Sequence, residues 1–176
     1  MPSSRRALIS TTADHPPMNS RRVETFCEAW ASAGAQAALE YLSHGVPHRY
    51  TAVYRLRDGR LQNMLLHDKS GEVRPEYLAE VALETSFCQF VLRDGVFMTA
   101  DSATDGRLAG HPYQGVMVAY HGVPIVRDGG LWGTLCHFDV TQRSLPDQEF
   151  ELMQRAALAL SDLVETLAAP VPSSAA

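Results

Sequence analysis

Cysteine and positive charge are both scarce in this sequence, and each shortage narrows the kind of protein it can encode. Three cysteines, Cys27, Cys88 and Cys136, are widely spaced among 176 residues. An odd number of distant cysteines supports neither a disulfide framework nor a C-x-x-C zinc site, and it predicts a reducing compartment. The 15 Lys and Arg residues are outnumbered by 20 Asp and Glu residues. Because affinity for a phosphate backbone comes from clustered cations, we expect no nucleic-acid partner.

Long hydrophobic runs are missing as well. No apolar stretch reaches the length of a membrane-spanning helix, and the apolar residues after Arg5 and Arg6 end before a signal-peptide core forms. We therefore expect a soluble, cytoplasmic protein with no membrane partner. The 45% hydrophobic share is still enough for one packed core. With the chain length, it predicts a single domain over residues 19–168, between a flexible segment at 1–18 and a disordered tail at 169–176.

Helical periodicity is clearest near the two ends of the chain. Apolar residues recur at helical spacing over residues 20–42, with Ser20 as the predicted N-cap, and again from residue 144 or 146 to 167. Each helix has one apolar face that can pack on a sheet. If these faces are wider than one sheet needs, they could also form the seam of a homodimer. A shorter helix is predicted over residues 75–85.

Three pairs of β-prone segments are each interrupted by a turn that contains Asp-Gly. The pairs are 50–56 with 61–66, 87–92 with 96–100, and 116–126 with 131–140. Each pair predicts a hairpin, although residues 86–89 could equally finish the preceding helix. Residues 101–114 have little periodicity and predict a long surface loop. The sequence thus predicts an α+β fold: an antiparallel sheet of about six strands, with the terminal helices on one face and a pocket under the loop and short helix on the other.

The third hairpin brings thiol and imidazole groups close together. With the turn centred on Asp128-Gly129, His121 faces Cys136 and Tyr120 faces His137. A thiol beside an imidazole could be an activated nucleophile or a pair of metal ligands, or simply a buried Cys next to a hydrogen-bonded His. Pro124 could introduce a bulge that changes this register.

Two stretches of this hairpin, residues 120–125 (YHGVPI) and 133–139 (GTLCHFD), together with the order of the elements, resemble the C-terminal half of GAF domains. Phe87-Cys88 and the segments at 99–101 and 111–112 are similar to bacterial stand-alone or sensor-fused members. The resemblance implies a sensory role, because GAF domains bind cyclic nucleotides, bilins, haem, amino acids or other small ligands, and many dimerise through their terminal helices. No output module fits in the rest of the chain, so a separate signalling protein is the expected partner.

The candidate ligand-binding residues lie around the predicted pocket. They are Phe87, Cys88, Asp101, Asp105, Tyr120, His121, Cys136 and His137. The two aspartates, with Arg107, could hold a polar ligand or could merely cap turns. Haem or a metal ion is a further possibility, because imidazole binds both and the sequence contains His67, His111, His121 and His137. No two of these four histidines have the H-x-x-x-H spacing of a metal site, and a bilin would need a suitably placed cysteine. The identity of the cofactor therefore stays open.

No complete set of catalytic residues is visible, and this favours binding over catalysis. One GAF branch, the free methionine-R-sulfoxide reductases, has a cysteine near the position of Cys88, so a thiol-based redox enzyme is an alternative. The sequence lacks that branch's Gly-Val-Cys-Gly loop and its Asp-rich strand. A second alternative is an interaction or dimerisation module without any ligand.

Overall fold

Two helices precede the sheet in a computed structural model, which describes residues 21–72 and 76–167. Helix α1 spans Val23–Ala33 and α2 spans Ala35–His44. The single helix predicted over 20–42 is therefore wrong: the backbone turns at Gly34, whose φ of 90° suits glycine. The predicted N-cap Ser20, the segment 1–18 and the tail 169–176 lie outside the described residues.

Six antiparallel strands form one sheet in the order β3-β2-β1-β6-β5-β4. Their bounds are β1 Tyr50–Arg57, β2 Arg60–Asp68, β3 Glu80–Ala82, β4 Phe97–Thr99, β5 Ala119–Arg127 and β6 Gly130–Asp139. The remaining helices are α3 at Glu76–Ala79, α4 at Cys88–Asp94 and α5 at Asp147–Leu163. The predicted α+β class with a six-stranded antiparallel sheet is confirmed. No helix in the described ranges is long and apolar enough to cross a membrane.

The two faces of the sheet carry separate apolar clusters. On one face α1, α2 and α5 pack against β-strand residues that include Val53, Ile125 and Leu135. On the other face a second cluster joins alternate residues of the same strands, including Ala52 and Cys136, to residues of α3, α4 and the loop. This alternation follows from the strand geometry, in which successive side chains point to opposite faces.

The second predicted hairpin is only half present. Residues 88–94 form helix α4 instead of a strand, and Gly95 ends this helix in a left-handed conformation, with its N–H on the Val91 carbonyl. The sixth strand is β3, Glu80–Ala82, which pairs with β2. It lies inside the segment predicted as a helix over 75–85. That segment is α3, β3 and a short 3-10 turn in sequence.

The third hairpin is confirmed as the centre of the sheet, but its predicted register is wrong by one residue. A register shift between Ile125 and Val126 places His121 opposite His137, and Gly122 opposite Cys136. One extra residue on one strand is enough to change every pairing beyond it.

Terminal helices α1, α2 and α5 leave one large apolar side chain exposed among the described residues, Leu158. Dimerisation through these helices stays a prediction.

Candidate functional site

A cavity of about 400 Å³ lies on the sheet face opposite α1, α2 and α5. Alternate residues of the strands form its floor: Tyr50, Tyr54, Leu61, Tyr120, Cys136 and Phe138. The walls come from α3, β3, the start of α4 and the loop before β5, and they include Leu78, Val81, Ser86, Phe87, Cys88 and Met117. The floor is rigid, because its residues lie in paired strands.

The mouth of the cavity is an exposed apolar rim. Four large side chains at this rim are strongly exposed, namely Tyr77 at 70%, Val116 at 60%, Val140 at 50% and Tyr113 at 40%. A group of exposed aromatic and aliphatic side chains at one opening is typical of a binding surface, whereas other exposed surface carries such residues singly. The rim therefore gives the cavity an apolar opening.

Among the residues that the structure describes, no Asp, Glu, Lys, Arg or His side chain lines the cavity. Its polar groups are the hydroxyls of tyrosines and Ser86 and two thiols. Tyr54 donates to the Leu78 carbonyl at 3.1 Å, and this bond fixes α3 above the floor. Tyr50 stacks on Phe138, with ring centroids 4.9 Å apart. Burial and the Tyr77 hydroxyl raise the pKa of Tyr50 to about 12, so its hydroxyl is neutral and can donate a hydrogen bond to a ligand.

Two buried thiols meet in the floor of the cavity. Cys88 Sγ lies 3.1 Å from the Tyr120 hydroxyl and accepts a hydrogen bond from Thr134 Oγ1 at 3.4 Å. The neighbouring Cys136 thiol does most to lower the pKa of the Cys88 thiol. Burial, with Cys88 beside it, raises the pKa of Cys136. Both cysteines are free in the structure.

His121 and His137, by contrast, lie on the helix-covered face of the sheet. His121 Nδ1 is 2.9 Å from Nε2 of His48, and His137 Nδ1 is 2.8 Å from the Thr51 hydroxyl. Burial lowers the pKa of His48 to about 3, that of His121 to about 4 and that of His137 well below its usual range. Among the described residues, no three His, Cys, Asp or Glu side chains are grouped in a way that could hold a metal ion.

Asp101 and Asp105 lie in the loop but do not line the cavity. The Asp101 carboxylate accepts a hydrogen bond from the backbone N–H of Ala103 at 3.1 Å. Asp105 accepts from the backbone and guanidinium of Arg107, and this ion pair lowers the pKa of Asp105 to about 2. Both carboxylates thus stabilise turns, as one of the two sequence interpretations proposed.

Four of the eight candidate ligand-binding residues therefore meet in one cavity: Phe87, Cys88, Tyr120 and Cys136. Whether they bind a ligand stays a prediction. Sequence reasoning missed Tyr50 and Tyr54, although their period-2 spacing in a β-prone segment was a usable signal. It also missed His48, which lies in a loop. His48 contacts His121 in the fold, but the two residues are 73 positions apart in the sequence.

Comparison with known proteins agrees with this architecture. The structure is similar to the GAF domain of a phosphoenolpyruvate-protein phosphotransferase from Acinetobacter, with a TM-score of 0.65, 12% identity, and coverage of 81% of this chain and 90% of that one. It is also similar to the type II free methionine-R-sulfoxide reductase of Thermoplasma acidophilum, with a TM-score of 0.60, 19% identity, and coverage of 81% and 96%. The chromophore-binding domain of a phytochrome from Stigmatella aurantiaca matches with a TM-score of 0.61, 12% identity, and coverage of 93% and 63%.

No curated protein sequence matches this chain. The sequence profile that does match is that of the GAF domain, and it spans residues 32–162. Together with the observed sheet, this match shows that the chain belongs to the GAF domain family.

Proposed function

We propose that this chain is a sensory domain that binds a neutral, largely aromatic small molecule in the cavity on its sheet. The observation that carries the proposal is the uncharged, aromatic-lined cavity itself. At about 400 Å³ it lies within the range of roughly 300–1,000 Å³ that is typical of small-molecule sites. Sensory proteins such as phytochromes share the fold, and this likeness agrees with a sensory role.

The absence of charge from the lining argues for a neutral ligand. Cyclic nucleotides, free amino acids and haem all carry phosphate or carboxylate groups. Burying such a group without a partner costs several kcal/mol. The hydroxyls of Tyr50 at the floor and of Tyr77 and Tyr113 at the rim, by contrast, suit a carbonyl or hydroxyl oxygen on an otherwise apolar ring. We therefore expect selectivity for neutral molecules over their ionised analogues.

The loop before β5 is the element most suited to report binding. Met117 and Val116 line the cavity, and the Ser102 hydroxyl holds the loop by donating to the Met117 carbonyl at 2.6 Å. The same Ser102 oxygen accepts from the Gly115 N–H at 2.9 Å. A ligand that contacts Val116 and Met117 would favour one position of the loop over others. A separate signalling protein would then recognise that position.

The test is a matched pair of ligands, 2-naphthol and 2-naphthoate, measured by calorimetry and thermal shift. We expect 2-naphthol to bind and raise the melting temperature, and naphthoate to bind at least tenfold more weakly because its carboxylate finds no partner. Val81→Trp, which fills the cavity from the edge strand, should abolish binding. Leu158→Trp, on the exposed face of α5, is the control and should leave it unchanged. Equal binding of both ligands, or of both variants, contradicts the proposal.

A thiol-based redox enzyme remains the second candidate, favoured by the placement of Cys88 in the cavity. Free methionine sulfoxide carries an ammonium and a carboxylate at neutral pH. The described lining has no charged side chain that could pair with either group. We therefore expect no NADPH-coupled reduction of free methionine sulfoxide by the purified chain. Such turnover, lost in Cys88→Ser, would establish the enzyme instead. A chain that binds no compound at all would favour an interaction module.

A further inference from the structure

Cys88 and Cys136 both line the cavity and belong to the same apolar cluster, and no structural need of the fold calls for two thiols there. Cys88 begins helix α4, Cys136 lies in the central strand β6, and their side chains meet at the cavity floor. Cys88 Sγ lies 3.4 Å from Thr134 Oγ1, and Thr134 precedes Cys136 by two residues on the same face of β6. Two valines would pack such a position equally well, since a free thiol acts in a core as a small apolar group.

The surroundings of the two sulfur atoms differ in a way that suits a reactive pair. Cys88 has two hydroxyl neighbours able to donate to a thiolate, Tyr120 at 3.1 Å and Thr134 at 3.4 Å. Cys136 instead donates to the Ala52 carbonyl at 3.8 Å, a contact that keeps its proton in place. A thiolate next to a protonated thiol is the arrangement from which a disulfide forms once an oxidant is present.

The cavity decides which oxidant can reach the pair. Both sulfur atoms are almost inaccessible to bulk solvent, with Cys88 at 5% and Cys136 at 0% exposure, but both cysteines line the cavity. A molecule that reaches them through the aromatic lining must itself be neutral and apolar. Quinones combine that property with the ability to accept two electrons, and their carbonyl oxygens match the tyrosine hydroxyls.

We propose that Cys88 and Cys136 are a redox-active dithiol that a quinone bound in the cavity oxidises to a disulfide. The Cys88 thiol first loses its proton to give the thiolate; the S–H bond of Cys136 then breaks as the S–S bond forms, so that the dithiol gives up two protons and two electrons in all. The two electrons and two protons pass to the quinone, whose carbonyl oxygens become the hydroxyls of a hydroquinone. The inference rests on the proposed function, since it assigns a ligand class to the same cavity.

Oxidation would change the part of the fold that borders the ligand. A disulfide would tie the first residue of α4 directly to β6, in place of the hydrogen bonds that now surround Cys88. Phe87, next to Cys88, packs against His111 of the loop with ring centroids 4.8 Å apart. Disulfide formation would therefore shift the start of α4 and, through the contact of Phe87 with His111, the loop that borders the cavity.

The experiment uses the reduced chain and tetramethyl-1,4-benzoquinone in the absence of oxygen. This quinone is fully substituted, so simple addition of a thiol to its ring is blocked. We expect one hydroquinone per chain, the loss of two thiols, and a peptide map that joins Cys88 to Cys136. Cys88→Ala and Cys136→Ala should each abolish the reaction. Cys27→Ala should not, since Cys27 lies on α1 outside the cavity.

A second measurement keeps the test independent of whether these variants fold. In the unaltered chain, 2-naphthol should slow the reaction with the quinone, because both compete for one cavity. If 2-naphthol binds but the quinone leaves the thiols reduced, the dithiol inference is overturned and the proposed function stands. If hydrogen peroxide at the same concentration forms the disulfide as fast as the quinone, recognition of quinones is overturned. If neither 2-naphthol nor quinone binds, both proposals fail.

Discussion

His48 Nε2 and His121 Nδ1 lie 2.9 Å apart beneath the helices, so the two imidazoles share one hydrogen bond. Such a bond needs one ring nitrogen to donate and the other to accept, and it is lost when both rings are protonated. The second nitrogen of His48, Nδ1, is buried and has no hydrogen-bond partner within residues 21–72 and 76–167. The side chains that face this pair include the carboxylate of Asp139, which favours protonation of His48, and the cation of Lys69, which opposes it. This arrangement holds buried neutral histidines next to one another.

We predict that the free energy of unfolding falls as the pH drops from about 6.5 towards 4. Unfolded histidine has a pKa of about 6.5, whereas the folded values are about 3 for His48 and about 4 for His121. In this window the unfolded chain binds more protons, so each buried imidazole adds a slope of up to about 1.4 kcal/mol per pH unit. This stability is fully present above about pH 6.5. Urea unfolding at a series of pH values measures the slope.

His48→Gln should make that slope shallower, because one of the titrating rings is gone. The matched control is His44→Gln, since the His44 side chain is 67% exposed. A flat profile in the unaltered chain, or an unchanged slope in His48→Gln, contradicts the prediction.

A second prediction concerns the ion pair between Arg49 and Asp68. Two parallel hydrogen bonds of 2.8 Å join them, and the Asp68 side chain is nearly buried. The Arg49 guanidinium lowers the pKa of Asp68 to about 2. Asp68→Asn should destabilise the fold by about 1–3 kcal/mol, because it leaves the half-buried guanidinium with only the exposed Glu72 as a charged partner. The midpoint of urea unfolding reports the loss.

Asp94→Asn is the matched control for that ion pair. Its partner Arg93 is 67% exposed, and exposed pairs contribute little. We expect a change below about 0.5 kcal/mol. An equal loss in the two variants would mean that burial of Asp68 does not matter.

The third prediction tests the close approach of β6 to β1. A Cβ atom on Gly133 would lie 1.9 Å from the Tyr54 carbonyl oxygen, which is backbone and cannot rotate away. Gly133→Ala should therefore cost more than about 3 kcal/mol or prevent folding, since overpacking here must move a central strand. Gly130→Ala, in the same strand, meets its nearest atom at 3.7 Å and should be nearly neutral. Thermal unfolding followed by circular dichroism distinguishes the two, and similar melting temperatures would disprove the clash.

The fourth prediction concerns Tyr120 as the hydrogen-bond partner of Cys88. Tyr120→Phe removes one hydroxyl that stabilises the Cys88 thiolate and should raise the pKa of that thiol. We expect the rate of Cys88 alkylation by a small neutral reagent at neutral pH to fall by roughly tenfold, the effect of about one pKa unit. Tyr54→Phe is the control, because its hydroxyl bonds the Leu78 carbonyl instead. Peptide mass spectrometry over a pH series gives the rates; an unshifted pH profile in Tyr120→Phe would show that the contact has no influence.

The sequence predicts an element of the fold well where neighbouring residues determine it, and poorly where contacts between distant residues determine it. The central hairpin could be predicted, because apolar β-prone segments flank Asp128-Gly129 and the turn needs a positive φ at both residues. Pro124 raised the possibility of a bulge in this hairpin, but its position could not be predicted, since the extra residue, Trp132, lies on the facing strand. Helix α4 was interpreted as a strand because β-prone residues such as Phe90 and Val91 also suit a short buried helix closed by Gly95.

Local reasoning was weaker still for the site. Phe87, Cys88, Tyr120 and Cys136 were found through family motifs, and the structure places them together. The His121 to Cys136 pair was not formed, because the bulge puts these residues on opposite faces of the sheet. Rim residues such as Val116 and Val140 have no sequence signal at all: only the tertiary fold shows that they share an opening.

The alternation along β6 has a consequence for how this protein can change. Cys136 points into the cavity, and His137, the next residue, points under the helices. Losing or gaining one residue before them would exchange these two environments, putting an imidazole in the cavity and a thiol among the helices. The length of this strand is thus as strictly determined as any side chain in it. Engineers who wish to alter the cavity lining should substitute residues here and keep every insertion in the turns.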